Sequence, residues 1–111
     1  MRLKDRVAVV TGGGGGIGEG ICLCLAREGA HVVVSDQNLS SAERVAAKIS
    51  KMRQKALAVQ TNVRSAKECQ DLMEISLKEM GQIDVLVCCS GVPGYSEKTI
   101  SEEMTRIENI F

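Results

Sequence analysis

Apolar positions along the chain alternate between two periods, one typical of strands and the other of helices. Short runs of mostly β-branched apolar residues predict four strands, at residues 7–10, 31–35, 57–60 and 83–89. Between them, apolar residues recur every three or four positions and predict three helices, at residues 17–28, 42–49 and 69–80. Strands that alternate with helices of this length form right-handed βαβ units. The pattern therefore predicts an α/β fold, with a parallel sheet covered on both faces.

Serines and glycines mark the ends of these helices. Two Ser-x-x-Glu segments have the form of a capping box, in which the serine accepts a hydrogen bond from the first helical turn; they are Ser40 to Glu43 and Ser65 to Glu68. Gly29 and Gly81 stand just past two predicted helix ends, a position that favours glycine. The sequence therefore predicts Ser40 and Ser65 as the capping residues of the second and third helices.

Five consecutive glycines, residues 12–16, connect the first strand to the first helix. Glycine is needed where the backbone takes a positive φ or presses against a ligand. The free N–H groups and positive dipole end of a helix N-terminus bind phosphate. The glycine turn therefore predicts a phosphate-binding site. A flexible Gly-rich linker is the alternative, but apolar periodic segments do not flank a linker on both sides.

The segment Thr11-Gly12-x-x-x-Gly16-Ile17-Gly18 resembles the cofactor-binding motif of the short-chain dehydrogenase/reductase family. The resemblance implies a Rossmann-type, doubly wound parallel sheet with the strand order 3-2-1-4 and helices on both faces. Residues 1–111 then form the N-terminal part of an NAD(P)-binding domain, without its catalytic and substrate-binding part. The motif implies that the turn binds the cofactor through Gly12, Gly15, Gly16, Ile17 and Gly18. Residues 13–15 are expected to tolerate alanine better than Gly12 and Gly18 tolerate valine.

Asp36 closes the second strand about twenty residues after the glycines, where dinucleotide-binding folds place an acid that accepts hydrogen bonds from the adenosine ribose. A helix-capping or turn aspartate is the alternative. An acid at this position favours NAD over NADP, because the 2′-phosphate of NADP would meet a like charge. Its neighbours are Gln37 and Asn38, so no arginine or lysine stands beside it to receive that phosphate. The sequence therefore predicts NAD as the preferred cofactor.

Two further segments resemble the family in part. Asn62-Val63 follows the third strand where members usually carry Asp-Val beside the adenine ring, and its side-chain oxygen and valine amide can still bond the base. Cys88-Cys89-Ser90-Gly91 stands where the family has Asn-Asn-Ala-Gly and keeps only the glycine. Ser90 and Gly91 are candidate backbone contacts to the cofactor. The two cysteines are interpreted as small buried fillers, with a redox switch as the alternative.

The resemblance implies hydride transfer between a nicotinamide cofactor and an alcohol or carbonyl substrate. In the family a tyrosine acts as general acid/base, assisted by a lysine four residues later and by a serine that polarises the carbonyl. Tyr95, the only tyrosine, has Thr99 at that spacing, so it is interpreted as a loop residue and no catalytic residue is assigned. The resemblance covers nearly the whole chain but under half of a typical member. The chain alone is therefore expected to turn over no substrate and to self-associate through the open edge of its fourth strand.

Two alternatives to the enzyme remain open. One is a non-catalytic nucleotide-binding module or an inactive relic, which the absence of a Tyr-x-x-x-Lys segment favours. The other is an S-adenosylmethionine methyltransferase, which also uses a glycine turn and an acid after the second strand. Thr11 and the Gly-x-x-x-Gly-x-Gly spacing favour the dehydrogenase family over the methyltransferase.

The composition of the chain excludes several classes of binding partner. Fourteen basic and fourteen acidic residues balance in a 111-residue chain, so nucleic acid and anionic lipid are not expected partners. No apolar run is long enough to span a membrane, and Asp5 interrupts the basic start that a signal peptide needs. Five cysteines without CxxC spacing and a single histidine, His31, predict no metal site. Cys22, Cys24 and Cys69 are expected in the core, and the unpaired thiols predict a reducing, cytoplasmic location.

Overall fold

The computed structural model describes residues 1–89 of the chain. In chain order the elements are β1 (Val7–Thr11), α1 (Gly16–Arg27), β2 (His31–Asp36), α2 (Leu39–Lys51), β3 (Ala56–Gln60), α3 (Ala66–Met80) and β4 (Val85–Cys88). The strands form one parallel sheet with the order β3-β2-β1-β4. The predicted Rossmann-type α/β fold and its 3-2-1-4 strand order are confirmed.

Alternation along the two central strands divides the core between the two faces of the sheet. Val10, Val32 and Val34 are fully buried against α1 and α2, in a cluster with apolar residues of both helices. Val9 and Val33 face the opposite side and pack with residues of α3. The continuous apolar runs at residues 7–10 and 32–34 are therefore what a sheet with two covered faces requires.

The parallel register brings the ends of β1, β2 and β4 to the same edge of the sheet. Thr11, the last residue of β1, pairs with Ser35 of β2 and with Cys88 of β4. Asp36 follows directly and pairs with Gln60 of β3. The glycine turn after β1 therefore lies beside the carboxylate that ends β2, at the edge where open α/β sheets bind ligands.

The predicted helix ends are correct for α3 but wrong for the start of α2. Ser65 caps α3, and its Oγ accepts a hydrogen bond from the Glu68 amide at 3.2 Å. The second helix begins at Leu39, before Ser40, and its cap is Asn38, whose Oδ1 accepts from the Ser41 amide at 3.2 Å. Asparagine caps as well as serine does, and here it comes first after the strand.

Both predicted terminal glycines have a left-handed backbone. Gly29 follows α1 with φ +96°, and Gly81 ends α3 with φ +85°. These angles are strained for residues with a Cβ. The prediction of helix ends at both positions is confirmed.

The cysteines divide between core and surface. Cys22 and Cys69 are buried as predicted, but Cys24 and Cys88 are exposed, and Cys89 is half-buried. The core role expected for Cys24 and the filler role expected for Cys88 are therefore wrong: Cys24 points away from the stripe through which α1 packs on the sheet, and Cys88 is at the strand's exposed end. Burial raises the pKa of the Cys22 thiol to about 12, so this side chain packs as a neutral apolar group.

His31 has a structural contact. Its Nδ1 accepts a hydrogen bond from the Lys55 amide at 3.0 Å, which ties the start of β2 to the segment before β3. Among residues 1–89, no three histidine, cysteine or acidic side chains are grouped as a metal site. In the same part of the chain, the helices are too short or too polar to cross a bilayer.

Candidate functional site

The glycine turn leaves β1 through Gly12, which has a φ of +70°. Such an angle favours glycine over every residue with a Cβ. The next amide, that of Gly13, donates to the Ser35 carbonyl at 2.9 Å, and the Gly15 amide donates back to the Gly12 carbonyl at 3.3 Å. The turn is therefore fixed both to itself and to the neighbouring strand.

Two glycines of the turn, and Gly18 in the first turn of α1, have no room for a side chain. A Cβ on Gly18 would overlap the Gly12 carbonyl, with its carbon only 2.7 Å away. A Cβ on Gly13 would lie 2.9 Å from Val34 Cγ1, and one on Gly14 would lie 2.7 Å from Ser41 Cβ. A side chain at Gly13 or Gly14 is therefore also crowded, because β2 and α2 pack against these residues, but the backbone blocks Gly18 more severely. The expected order of tolerance stays a prediction.

Gly15 and Gly16 are open by contrast. A Cβ on Gly15 would have its nearest neighbour at 3.7 Å, and one on Gly16 would have none within 4 Å. Gly15 is the N-cap of α1 and, lacking a side chain, gives the first turn no side-chain cap. The first-turn amides of Gly16, Ile17 and Gly18 cannot bond within the helix. This open N-terminus, with its positive dipole end, fits a phosphate group.

Ile17 is a large apolar residue on this surface. It follows the turn directly and is 81% exposed. Exposed isoleucine beside a helix N-terminus gives the site an apolar contact next to its amide donors. The predicted glycines and Ile17 thus lie together around one helix end.

Asp36 joins the end of β2 to the glycine turn. Its Oδ2 accepts from the Gly14 amide at 3.0 Å, and its Oδ1 accepts from the Asn38 amide at 2.9 Å. The second bond is the turn role considered as the alternative, while the first one places the carboxylate against the turn. The same side chain therefore makes the local turn and lies at the position predicted for a ribose-binding acid.

An ion-pair cluster that sequence reasoning missed borders the turn. Arg44 Nη2 on α2 lies 2.9 Å from Glu19 Oε1 on α1 and 3.4 Å from the Gly14 carbonyl. Lys48 Nζ lies 2.6 Å from the other oxygen of Glu19. An arginine is thus near the turn after all, although it lies eight positions beyond Asp36. The spacing of Arg44 and Lys48, one helical turn apart, was the available signal, but their common partner lies on another helix.

The ion pairs of this cluster shift the pKa values of Glu19 and Arg44. Hydrogen bonds from Arg44 and then Lys48 lower the pKa of Glu19 to about 2. Hydrogen bonding to Glu19 in turn raises the pKa of Arg44. Glu19 and Arg44 therefore stay charged across the physiological range.

The predicted adenine-side residues follow β3. Asn62 Oδ1 accepts from the Arg64 amide at 3.0 Å, and the Asn62 amide donates to Glu68 Oε1 at 3.1 Å. Val63 is half-buried, and its carbonyl accepts from the Cys69 thiol at 3.6 Å. These bonds hold the segment against the start of α3, at the same edge of the sheet as Asp36.

An open cavity of about 710 Å³ lies at the end of β2 and includes Asp36 in its lining. It is lined by the following residues of the β2–α2 turn and β3: Asp36, Gln37, Asn38, Leu39, Ser40 and Gln60. Gln60 Nε2 donates to the Gln37 carbonyl at 3.2 Å and closes one wall. The cavity extends the glycine-turn site along the sheet edge toward β3.

Three buried hydroxyl groups also lie at this edge of the sheet, where the strands end. Thr11 Oγ1, Ser35 Oγ and Thr61 Oγ1 have no hydrogen-bond partner within residues 1–89. Thr11 and Ser35 lie two residues beyond Val9 and Val33, hence on the same face of the sheet. The candidate contacts Ser90 and Gly91, together with Tyr95, lie outside the described residues.

Fold and site define a Rossmann-type domain, with a glycine turn between β1 and α1 and an acid at the end of β2. Comparison with known proteins identifies the family. The family model described as short chain dehydrogenase matches residues 6–111. The chain therefore belongs to the short-chain dehydrogenase family, as its glycine motif suggested. This match removes the support for a methyltransferase.

Several relatives have a stated activity. The 7α-hydroxysteroid dehydrogenase of Escherichia coli K12 is 35% identical over 94 residues, which cover 85% of this chain and 37% of that protein. A hydroxynaphthalene reductase of Aspergillus fumigatus is 33% identical over 113 residues, covering 99% of this chain and 41% of that protein. The chain spans less than half the length of these curated relatives.

A solved structure gives the same relationship in three dimensions. It is a 7α-hydroxysteroid dehydrogenase in complex with NADH and 7-oxo glycochenodeoxycholic acid, and it matches with a TM-score of 0.80 at 32% identity. The match covers 96% of this chain and 42% of that one. A relative with this fold therefore binds a reduced nicotinamide dinucleotide together with a steroid.

Proposed function

We propose that this chain is the dinucleotide-binding part of a short-chain dehydrogenase that transfers hydride between nicotinamide and an alcohol or carbonyl substrate. The observation that carries the proposal is the position of the Asp36 carboxylate, 3.0 Å from the Gly14 amide, beside the uncapped N-terminus of α1. Phosphate and ribose are the two polar parts of a dinucleotide. The amides at the helix N-terminus suit the phosphates, and the carboxylate suits the ribose hydroxyls.

Each predicted residue has a role in this proposal. The amides of Gly16, Ile17 and Gly18 bind the pyrophosphate, and Gly12 and Gly15 let the backbone approach it. Asp36 accepts hydrogen bonds from the ribose hydroxyls, and the Asn62-Val63 segment borders the adenine, with Ser90 and Gly91 as further backbone contacts. When bound, the nicotinamide would supply or accept the hydride.

NAD is the preferred cofactor in this proposal. A 2′-phosphate would exchange a charge-assisted hydrogen bond at Asp36, worth about 1.5–3 kcal/mol, for like-charge repulsion. Such a loss corresponds to about a ten- to hundredfold difference in affinity. The NADH bound by the 7α-hydroxysteroid dehydrogenase structure supports a nicotinamide dinucleotide as ligand.

Titration calorimetry of NAD and NADP against the 111-residue chain tests this function. NAD is expected to bind at least tenfold more tightly, and Asp36→Asn is expected to remove most of that preference. Asp71→Asn is the matched control, because it also removes a carboxylate but lies on α3, where Asp71 pairs with Lys67. Equal affinity for both dinucleotides, or loss of preference in the control as well, would contradict the assignment of Asp36.

A non-catalytic nucleotide-binding module is the second candidate. It would use the same glycine turn and Asp36 carboxylate, which need no catalytic residue to bind a dinucleotide. General acid–base catalysis contributes about 10²–10⁴-fold, so we expect no measurable alcohol oxidation by this chain even with NAD bound. An NAD-dependent assay over a panel of secondary alcohols decides this, and turnover that is lost in Asp36→Asn would contradict it.

Self-association is the proposed state of the chain in solution. Within residues 1–89, β4 pairs with β1 and forms one edge of the sheet, and its apolar residues are only half-buried. Exposed apolar edge strands pair with other chains. Light scattering is expected to give a mass above that of one chain, and a monodisperse monomer would contradict the proposal.

The free cysteines support the proposed cytoplasmic location, since disulfides are rare there.

A further inference from the structure

We propose that the ion pair between Glu19 and Arg44 is a specificity determinant of the glycine turn. Glu19 holds the Arg44 guanidinium on the Gly14 carbonyl and thereby keeps it from binding a phosphate on the adenosine ribose. The inference rests on the proposed function, because it concerns how the same site distinguishes NAD from NADP.

Gly14 is held from both sides. Its amide donates to Asp36 Oδ2 at 3.0 Å, and its carbonyl accepts from Arg44 Nη2 at 3.4 Å. A carboxylate and a guanidinium are therefore bonded to opposite ends of a single residue. A ribose bound at Asp36 would have its 2′-oxygen at that carboxylate, whose hydrogen-bond partner Gly14 is also bonded to Arg44.

Arg44 can act on an added phosphate only if it is released. Its side chain is 50% exposed, so it can turn toward a new partner without disturbing the buried core. Guanidinium binds carboxylate and phosphate with the same forked geometry, and Glu19 therefore competes directly with a 2′-phosphate. The short contact of 2.9 Å between Arg44 and Glu19 favours the carboxylate.

The effect of the Glu19–Arg44 ion pair on specificity depends on the charges around it. Glu19 is shared by two cations, Arg44 and Lys48, which lie one helical turn apart on α2. Removal of the carboxylate charge leaves two adjacent cations that repel each other at the border of the turn. A 2′-phosphate would then meet an arginine that has lost its acidic partner, which would offset part of the repulsion by Asp36.

Four forms of the chain test this inference: the parent, Glu19→Gln, Arg44→Met and the double variant. The quantity measured is the ratio of the dissociation constants for NADP and NAD, obtained by calorimetry. In Glu19→Gln the ratio is expected to fall by about tenfold, as for one charged hydrogen bond gained. Arg44→Met and the double variant are expected to keep the parent ratio. Adenosine 2′,5′-bisphosphate and 5′-AMP, used as probes without nicotinamide, are expected to show the same pattern.

The controls separate this inference from general charge effects and from the proposed function. Asp71→Asn removes a carboxylate from the exposed pair on α3 and is expected to leave the ratio unchanged. Glu19→Asp, which keeps the charge but withdraws it by one methylene, is expected to lower the ratio less than Glu19→Gln does. An unchanged ratio in Glu19→Gln, or an equal fall in the double variant, overturns the role of the pair while NAD binding stands. A parent chain that binds neither dinucleotide overturns the proposed function and this inference with it.

Discussion

Gly13→Ala is the substitution for which the structure makes its sharpest prediction about stability. The new Cβ would lie 2.9 Å from Val34 Cγ1, 3.1 Å from Cys22 Sγ and 3.2 Å from the Val10 carbonyl. Gly13 does not have a positive φ, so the backbone itself tolerates alanine and the cost is steric. Overpacking a dense core costs about 1–3 kcal/mol, and we expect Gly13→Ala to destabilise the fold by that amount.

Gly20→Ala is the matched control for this change. Gly20 lies inside α1, and a Cβ there would have no neighbour within 4 Å. Alanine in a helix interior is more stable than glycine by about 0.5–1 kcal/mol. The same chemical substitution is therefore expected to have opposite signs at the two positions.

Urea unfolding followed by circular dichroism measures both effects. With a slope of about 2 kcal/mol per M, a loss of 2 kcal/mol lowers the midpoint by about 1 M. In the Gly13→Ala background, Val34→Ala removes the nearest colliding methyl, so the double variant is expected to be more stable than the sum of the single losses, by about 0.5–3 kcal/mol. A midpoint for Gly13→Ala equal to the parent's, or strictly additive losses, would refute the packing argument.

Three further predictions test other contacts. Ser65→Ala is expected to cost about 0.5–2 kcal/mol because it removes the α3 cap, whereas Ser40→Ala is expected to stay within about 0.5 kcal/mol; similar losses in urea unfolding would contradict the observed caps. Ser35→Ala is expected to raise the unfolding midpoint, since a buried unpaired hydroxyl costs about 1–3 kcal/mol, and a lower midpoint would reveal a partner for it. The pKa of Glu19 is lowered from 4.5 to about 2, so its stabilising effect is complete above pH 4.5 and is lost as pH falls toward 2. Acid titration of Glu19→Gln should therefore show a shallower decline over that range, and an identical decline would count against the ion pair.

The fold could be predicted because its signals are local and periodic. Each strand and helix repeats its own spacing of apolar residues, and the βαβ rule then limits how the elements connect. The position of Asp36 follows from the same pattern, since a residue that closes β2 must lie at the edge where the β1 turn emerges. The prediction of where α2 starts was wrong for a local reason. Asn38 and Ser40 are both good caps, and pattern alone favoured the residue with a glutamate three positions later.

The contacts that the sequence pattern did not predict connect residues that are distant in sequence. Glu19 and Arg44 are 25 positions apart, and only the packing of α1 beside α2 brings them together. The lack of space at Gly13 has the same origin, since Val34 of β2 supplies the nearest atom. A glycine motif marks where a turn occurs, but whether each glycine is needed depends on the elements that later pack against it.

The glycine turn is consequently a tertiary structure as much as a motif. Gly13 is bonded to β2 through the Ser35 carbonyl, and Gly14 is bonded to Asp36 at one end and Arg44 at the other. Two of these three anchors are charged and lie on the surface that a dinucleotide would cover. A ribose that donates hydrogen bonds to Asp36 would compete with the Gly14 amide for the same carboxylate oxygens. Under the proposed function, cofactor affinity would therefore depend on how well the remaining anchors hold the turn when Asp36 turns to the ribose, and α2 would be part of the binding site although none of its residues belongs to the family motif.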